Sequence, residues 1–151
     1  MRLINRLLQI GFVFLIVILF FKEGFSQAGF RDSSFGWSGV VETPIFYRSV
    51  GRDVAIQPDG KIVVAGHSET NSTVFFAVTR YHSNGSLDST FDLDGVATIS
   101  VIPFFACSAT GLALQSDGKI VVVGNSDSGF AVVRYQINGS LDSSFGVGGI
   151  V

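Results

Sequence analysis

The chain has one cysteine, three prolines, one methionine, one tryptophan and two histidines in 151 residues. A single thiol excludes an internal disulfide, so packing or assembly must supply the stability. Cys107 lies in "PFFACSAT" among apolar neighbours and reads as a small buried hydrophobe. Neither His67 nor His82 is placed by sequence to serve as a base beside it. There is no HExxH, no Gly-Lys phosphate loop and no Cys/His cluster, so neither metal nor cofactor is expected. "GNSDSG" (124–129) falls short of a nucleophile elbow, because it ends Ser-x-Ser and that motif needs a strand-to-helix turn. Helical periodicity is missing too. Beyond residue 28 no stretch repeats its apolar residues every 3.6 positions.

Positive charge is also scarce. Residues 29–151 hold seven Lys or Arg against eleven Asp or Glu, a net of −4. That balance argues against nucleic acid, which needs a basic face to displace counterions. Residues 1–28 are a case apart. Arg2 and Arg6 precede an apolar run from Leu7 to Phe21, and Ser26-Gln27-Ala28 follows with small residues at peptidase spacing. This pattern is that of a secretory signal peptide, too short to span a bilayer comfortably. An uncleaved anchor, with Lys22 and Glu23 at the interface, is the alternative. The protein is expected to be exported.

What the chain has in abundance is itself. "FAVTRYHSNGSLDSTF" (76–91) returns as "FAVVRYQINGSLDSSF" (130–145), twelve of sixteen letters identical and 54 positions on. "QPDGKIVVAG" (57–66) returns as "QSDGKIVVVG" (115–124), eight of ten identical and 58 on. A shorter motif occurs three times, as "FGWSGVV" (35–41), "FDLDGVA" (91–97) and "FGVGGIV" (145–151). The chain therefore holds two units of about 54 to 58 residues and the start of a third.

Each unit reads as strands. Val54 and Ile56 alternate with Asp53, Ala55 and Gln57, the period of a pleated strand. Pro58-Asp59-Gly60 is a tight turn, and the run from Lys61 to Gly66 is β-branched enough for a strand covered on both faces. "VFFAVTRY" supplies a third strand and "GVATISV" (95–101) a fourth. Four strands per period near 50 mark a propeller blade, so the expected class is all-β with four-stranded propeller-type blades. Blade strands are expected over 53–101 and 111–151, with 39–43 a lone outer strand.

"SLDSTFDLDGV", "QPDGKIVVAG" and "FAVTRY" resemble the delta-60 repeat, a β-propeller repeat of bacterial exported proteins. The likeness runs over nearly all of 30–151. "DVAIQPDGKIVVAG" is similar, more loosely, to the first hairpin of NHL-type propeller blades. That likeness implies that 53–57 and 111–115 line a central channel and that 39–43 and 95–101 are outer strands. A ring takes about 4 to 8 blades. Further blades are expected to close it, in cis within a longer protein of which this chain is an N-terminal fragment, or as a homo-oligomer.

Strand direction alternates in a meander, so the Asp-Gly and Asn-Gly turns share one end of the blade. The other end receives segments that differ between repeats, including "TPIFYRSVGR" (43–52), "HSETNST" (67–73) and "SVIPFFACSAT" (100–110). Binding residues are expected there: Tyr47, Arg48, His67, Phe104 and Phe105. The expected function is an exported, non-catalytic scaffold with a protein or glycan ligand. A propeller hydrolase or lyase with its site at the channel mouth is the alternative.

Two patterns invite chemistry that the plain reading absorbs. Arg80 and Arg134 recur beside Tyr81 and Tyr135, as an anion-binding ring or as structural partners of Asp88 and Asp142; recurrence once per blade favours the structural pair. Asp92-Leu93-Asp94-Gly95 opens like a calcium loop but lacks the closing acid. Asn84-Gly85 and Asn138-Gly139 fit glycosylation sequons and are better explained as turns.

The N-terminal reading makes a direct prediction. Exported protein should begin at Gly29 by mass spectrometry, and membrane-bound material retaining Met1 would overturn cleavage.

Overall fold

Glycine turns set the rhythm of the fold. Gly60 and Gly118 both hold φ at +83°, and Gly85 and Gly139 hold +86° and +90°. A side chain makes that conformation costly, so each Asp-Gly and Asn-Gly pair closes its hairpin at a position glycine takes freely. In this computed structural model residues 29–101 and 107–151 are described. The expected signal segment, 1–28, lies outside them, as do residues 102–106.

Between the turns run two antiparallel meanders. The first sheet has the order β1 (Arg48–Ile56), β2 (Ile62–Glu69), β3 (Val74–Tyr81) and β4 (Val96–Ile99). The second has β5 (Cys107–Leu114), β6 (Ile120–Ser126) and β7 (Gly129–Tyr135). Its fourth place is taken by the third copy of the short motif. Ile150 bridges Val133, and Val132 and Val151 exchange backbone hydrogen bonds of 2.8 and 2.9 Å. These are all-β blades of the propeller type, as the repeat pattern implied.

Two boundaries differ from the sequence reading. The first strand of each blade begins earlier than residues 53 and 111, because the ladder continues through a bulge. Register shifts between Gly51 and Asp53 in β1, and between Ala109 and Gly111 in β5. The bulge brings backbone against backbone. A Cβ on Gly66 would lie 1.9 Å from the Val50 carbonyl oxygen, and one on Gly124 would lie 2.1 Å from that of Ser108. Only glycine fits opposite each bulge.

The second difference concerns 39–43, which is not a strand. Val40 makes isolated bridges with Gly36 and Trp37, and residues 41–45 join no ladder. The later copies of this motif lie along β3 and β7, whereas the first has no such strand beside it among the described residues. A strand is a pairing, and recurrence of the sequence alone does not make one.

The two blades pack face to face around one core. Val63, Phe76 and Val78 of the first blade and Ile120, Val122 and Val133 of the second are fully buried. Two equivalent tyrosines fare differently in this packing. The Tyr81 hydroxyl donates to Thr43 Oγ1 at 2.8 Å. Tyr135 is 2 % exposed, and its hydroxyl has no partner among the described residues. Thr43 lies eight residues beyond Phe35; eight beyond Phe91 stands Ile99, which offers no acceptor side chain. Burial, with the Asp92 charge second, pushes the Tyr135 phenol far above the usual tyrosine range, so it keeps its proton.

An unsatisfied buried hydroxyl costs about 1–3 kcal/mol, while a made bond is worth about 1 kcal/mol. Tyr135→Phe should therefore raise the melting temperature and Tyr81→Phe should lower it. Equal shifts of the same sign in thermal melts would count against this account.

Candidate functional site

The recurrent arginines come first, because they define what the site is not. Arg80 Nε donates to Asp88 Oδ2 at 2.8 Å, Nη2 donates to Thr90 Oγ1 at 3.0 Å, and Nη1 donates to the Ile137 carbonyl of the next blade. Its guanidinium lies 4.8 Å from the centre of the Phe91 ring. Arg134 repeats the arrangement, with Asp142 Oδ2 at 2.8 Å and the Phe145 ring at 4.5 Å. Both arginines hold their own turn, the structural role that their recurrence favoured. Burial acts to raise the Asp88 carboxyl, but hydrogen bonds from Thr90 and the charge of Arg80 outweigh it and hold it below the usual range. Hydrogen bonding from Ser144, and then Arg134, does the same for Asp142.

The residues that differ between repeats gather elsewhere. Tyr47, Arg48 and His67 line one cavity of about 540 Å³, between the 41–51 segment and the inner part of β2 and β3. The Tyr47 N–H donates to the Glu69 carbonyl at 3.0 Å, so the chain enters β1 alongside the end of β2. Arg48 sits 3.5 Å from Glu69, in an exposed ion pair of small energetic value. Tyr47 itself is 83 % exposed, and Phe46 packs against Phe75 with ring centres 5.3 Å apart. Phe104 and Phe105 lie outside the described residues.

His67 also faces a second cavity of about 310 Å³ at the seam between the blades, with Glu69, Ser108, Asn125 and Asp127. Its Nδ1 lies 2.8 Å from Ser108 Oγ. Burial first, and the Arg52 charge second, lowers the His67 imidazole below its ordinary value, so it is neutral at pH 7. Sequence reasoning missed Ser108. The signal available was that Val50 stands at its position in the first unit, a change from apolar to polar at a strand that packs on another blade.

Cys107 takes the plain role expected of it. It is 2 % exposed, and its Sγ donates to the Val74 carbonyl at 3.0 Å across the seam. Asp94 spends its carboxylate on the Val96 N–H at 2.8 Å. No three His, Cys, Asp or Glu among the described residues are placed to share a metal ion. Asn84 and Asn138 each accept from the N–H and hydroxyl of the serine two residues on, which is turn chemistry.

Residues 57–91 and 115–145 match a family described as a beta-propeller domain of unknown function (DUF5122). The chain carries β-propeller repeats. Each matched stretch runs from the Asp-Gly turn to the phenylalanine under the arginine, and so covers the part of a blade that recurs. His67 falls inside the first stretch, while Tyr47, Arg48 and Ser108 fall outside both. No curated protein and no solved structure matches the chain.

The Asp88 and Asp142 carboxyls titrate below their ordinary value of 3.8, so they stabilise the fold above that pH and lose the contribution as pH falls through the lowered values. The melting temperature should hold between pH 7 and about pH 5 with respect to these groups, then drop below about pH 4. Asp88→Ala strands a guanidinium that is 5 % exposed, and it should cost roughly 3 kcal/mol or more at pH 7. It should also flatten the acid limb of the curve. A variant with unchanged pH dependence would show that this pair is not the acid-sensitive element.

Proposed function

We propose that the protein is an exported, non-catalytic β-propeller module of the delta-60 type that binds a protein or glycan ligand on its non-repeated face. The observation that carries this reading is the convergence of Tyr47, Arg48 and His67 on one cavity of about 540 Å³. An exposed aromatic, a cation and a neutral imidazole can stack on, charge-pair with and hydrogen-bond a ligand without transforming it. Their counterparts in the second unit are different residues, so this set of side chains is particular to the first unit. Export is supported by the basic start, apolar core and small-residue exit of residues 1–28.

The rival reading, a hydrolase or lyase, has one geometry in its favour, the Ser108–His67 contact of 2.8 Å. A serine beside a neutral histidine is the start of a nucleophile and base, but catalysis also needs donors for a developing oxyanion.

Glycan and peptide arrays probed with the full chain separate the two. Binding to one class should weaken about tenfold, some 1.4 kcal/mol, in Arg48→Ala and in His67→Ala, with the ligand recovered intact. Product that disappears with Ser108→Ala would establish the enzyme instead. Undiminished binding by both cavity variants would move the site elsewhere.

A further inference from the structure

The chain carries the Asn-x-Ser/Thr pattern of an N-glycosylation acceptor three times, at Asn71-Ser72-Thr73, Asn84-Gly85-Ser86 and Asn138-Gly139-Ser140. The structure separates the first from the other two. Asn84 and Asn138 are closed on their own sequons. The Ser86 hydroxyl donates to Asn84 Oδ1 at 2.8 Å, and the Ser140 hydroxyl donates to Asn138 Oδ1 at 2.8 Å. In each, the amide and the hydroxyl that a glycosyltransferase must engage are bound to one another.

Their main chains are held as well. The Asn84 carbonyl accepts from the Gly36 N–H at 2.9 Å, and the Asn138 carbonyl accepts from the Asp92 N–H at 2.8 Å. The middle residue of both sequons is a buried glycine. A Cβ on Gly85 would lie 3.0 Å from the Gly36 nitrogen, and one on Gly139 would lie 2.6 Å from the Asp92 nitrogen. An enzyme that must surround the asparagine meets packed backbone at both places.

Asn71 is placed otherwise. It lies in the hairpin between β2 and β3, exposed together with Ser72. That hairpin is held by the residue before it. The Thr70 N–H donates to the Thr73 carbonyl at 2.9 Å, and Thr70 Oγ1 accepts from the N–H groups of Ser72 at 3.4 Å and Thr73 at 3.2 Å. The Asn71 amide and the Thr73 hydroxyl make no hydrogen bond among the described residues, so the turn is shaped while the sequon pair stays open. Glu69, two residues ahead of Asn71, offers a carboxylate to a cationic subsite of a transferase; His82 and Gln136 stand at that place before the other two. The matching hairpin of the second unit, Ser126-Asp127-Ser128-Gly129, has no asparagine.

We propose that Asn71 is an N-glycosylation acceptor, a modification site that rests on the export proposed above. The co-reactant is an oligosaccharide joined through a diphosphate to a polyprenyl lipid. Asn71 Nδ2 forms a bond to the anomeric carbon of the sugar as the bond from that carbon to the diphosphate oxygen breaks. The lipid diphosphate leaves with the electron pair of the broken bond, and the amide nitrogen gives one of its two protons to a base of the transferase. The Thr73 hydroxyl is the handle by which the enzyme orients the amide. The glycan projects from the non-repeated end of the first blade, opposite the Asn-Gly turns.

The test produces the full chain in a bacterial host that holds an oligosaccharyltransferase and its lipid-linked oligosaccharide in the export compartment. Mass spectrometry reads the N-terminus and the peptides. Chain beginning at Gly29 should carry a glycan on the Asn71 peptide, with the Asn84 and Asn138 peptides at least about tenfold less occupied, since each must first break a hydrogen bond. Asn71→Gln and Thr73→Val should both abolish the modification without moving the melting temperature, and Thr73→Ser should retain it. Exported, folded chain with Asn71 unmodified overturns the proposal, and so does equal occupancy of Asn84 or Asn138 on folded chain. Chain that keeps Met1 and carries no glycan counts against export. Transferase and lipid-linked oligosaccharide added to that chain, purified and folded, then decide the site: glycan on Asn71 supports it, and its absence overturns it.

Discussion

The structure depends on how the Arg80 guanidinium is satisfied. It is almost wholly removed from water, and a charge in that position is expensive unless its donors are matched. Asp88 and Thr90 match two of its nitrogens from within its own turn, and Phe91 covers its face. The remaining nitrogen is matched, among the described residues, by Ile137, which belongs to the next blade. A blade is therefore not electrostatically complete until its neighbour is seated. The same contact that ends one repeat receives the following one, so folding of the two is coupled through a desolvated charge as well as through apolar area. Arg134, which has no such carbonyl partner among the described residues, is more exposed, at 20 % against 5 % for Arg80.

This explains which parts of the structure could be read from the sequence. The Arg, Asn-Gly, Asp and Phe positions recur almost unchanged because each copy must make the same closed set of hydrogen bonds. Strand β3 and the turns on either side of it are legible for that reason, and so is the pairing of Arg80 with Asp88 across a turn of eight residues. Local alternation also gives β1, but not its true start. Asp53 follows a bulge, and a bulge breaks the period that would have announced Arg48 to Gly51 as strand. Residues 39–43 mislead in the opposite direction. Their motif is that of an outer strand, yet strand formation needs an edge to pair with, and no local pattern reports whether one is present.

The candidate site was half legible. Counting the alternating directions of strands in a meander places Tyr47, Arg48 and His67 at one end of the first blade, and all three line one cavity. Ser108 could not be found that way. Its partner His67 is 41 residues distant and on another blade, and only the packing of β5 against β2 brings them within 2.8 Å.

The seam between the blades thus has two ends with different rules. At the Asn-Gly end the contacts are backbone carbonyls and glycine clearances, which occur alike at Gly36 and at Asp92, together with the contact of Arg80 with the Ile137 carbonyl. At the other end they are particular to this pair of blades. Ser108 meets His67, Cys107 donates to the Val74 carbonyl, and nearer the middle the Leu112 N–H donates to the Asp53 carboxylate at 2.8 Å. Gly111 stands at the position of Asp53 in the second blade, so that last contact cannot repeat along the chain. Cys107 belongs to the common core, so this end also holds the blades together, through contacts that the recurrent end does not share. One rim of this seam thus follows the repeat, while the other is set by residues that differ between the two units.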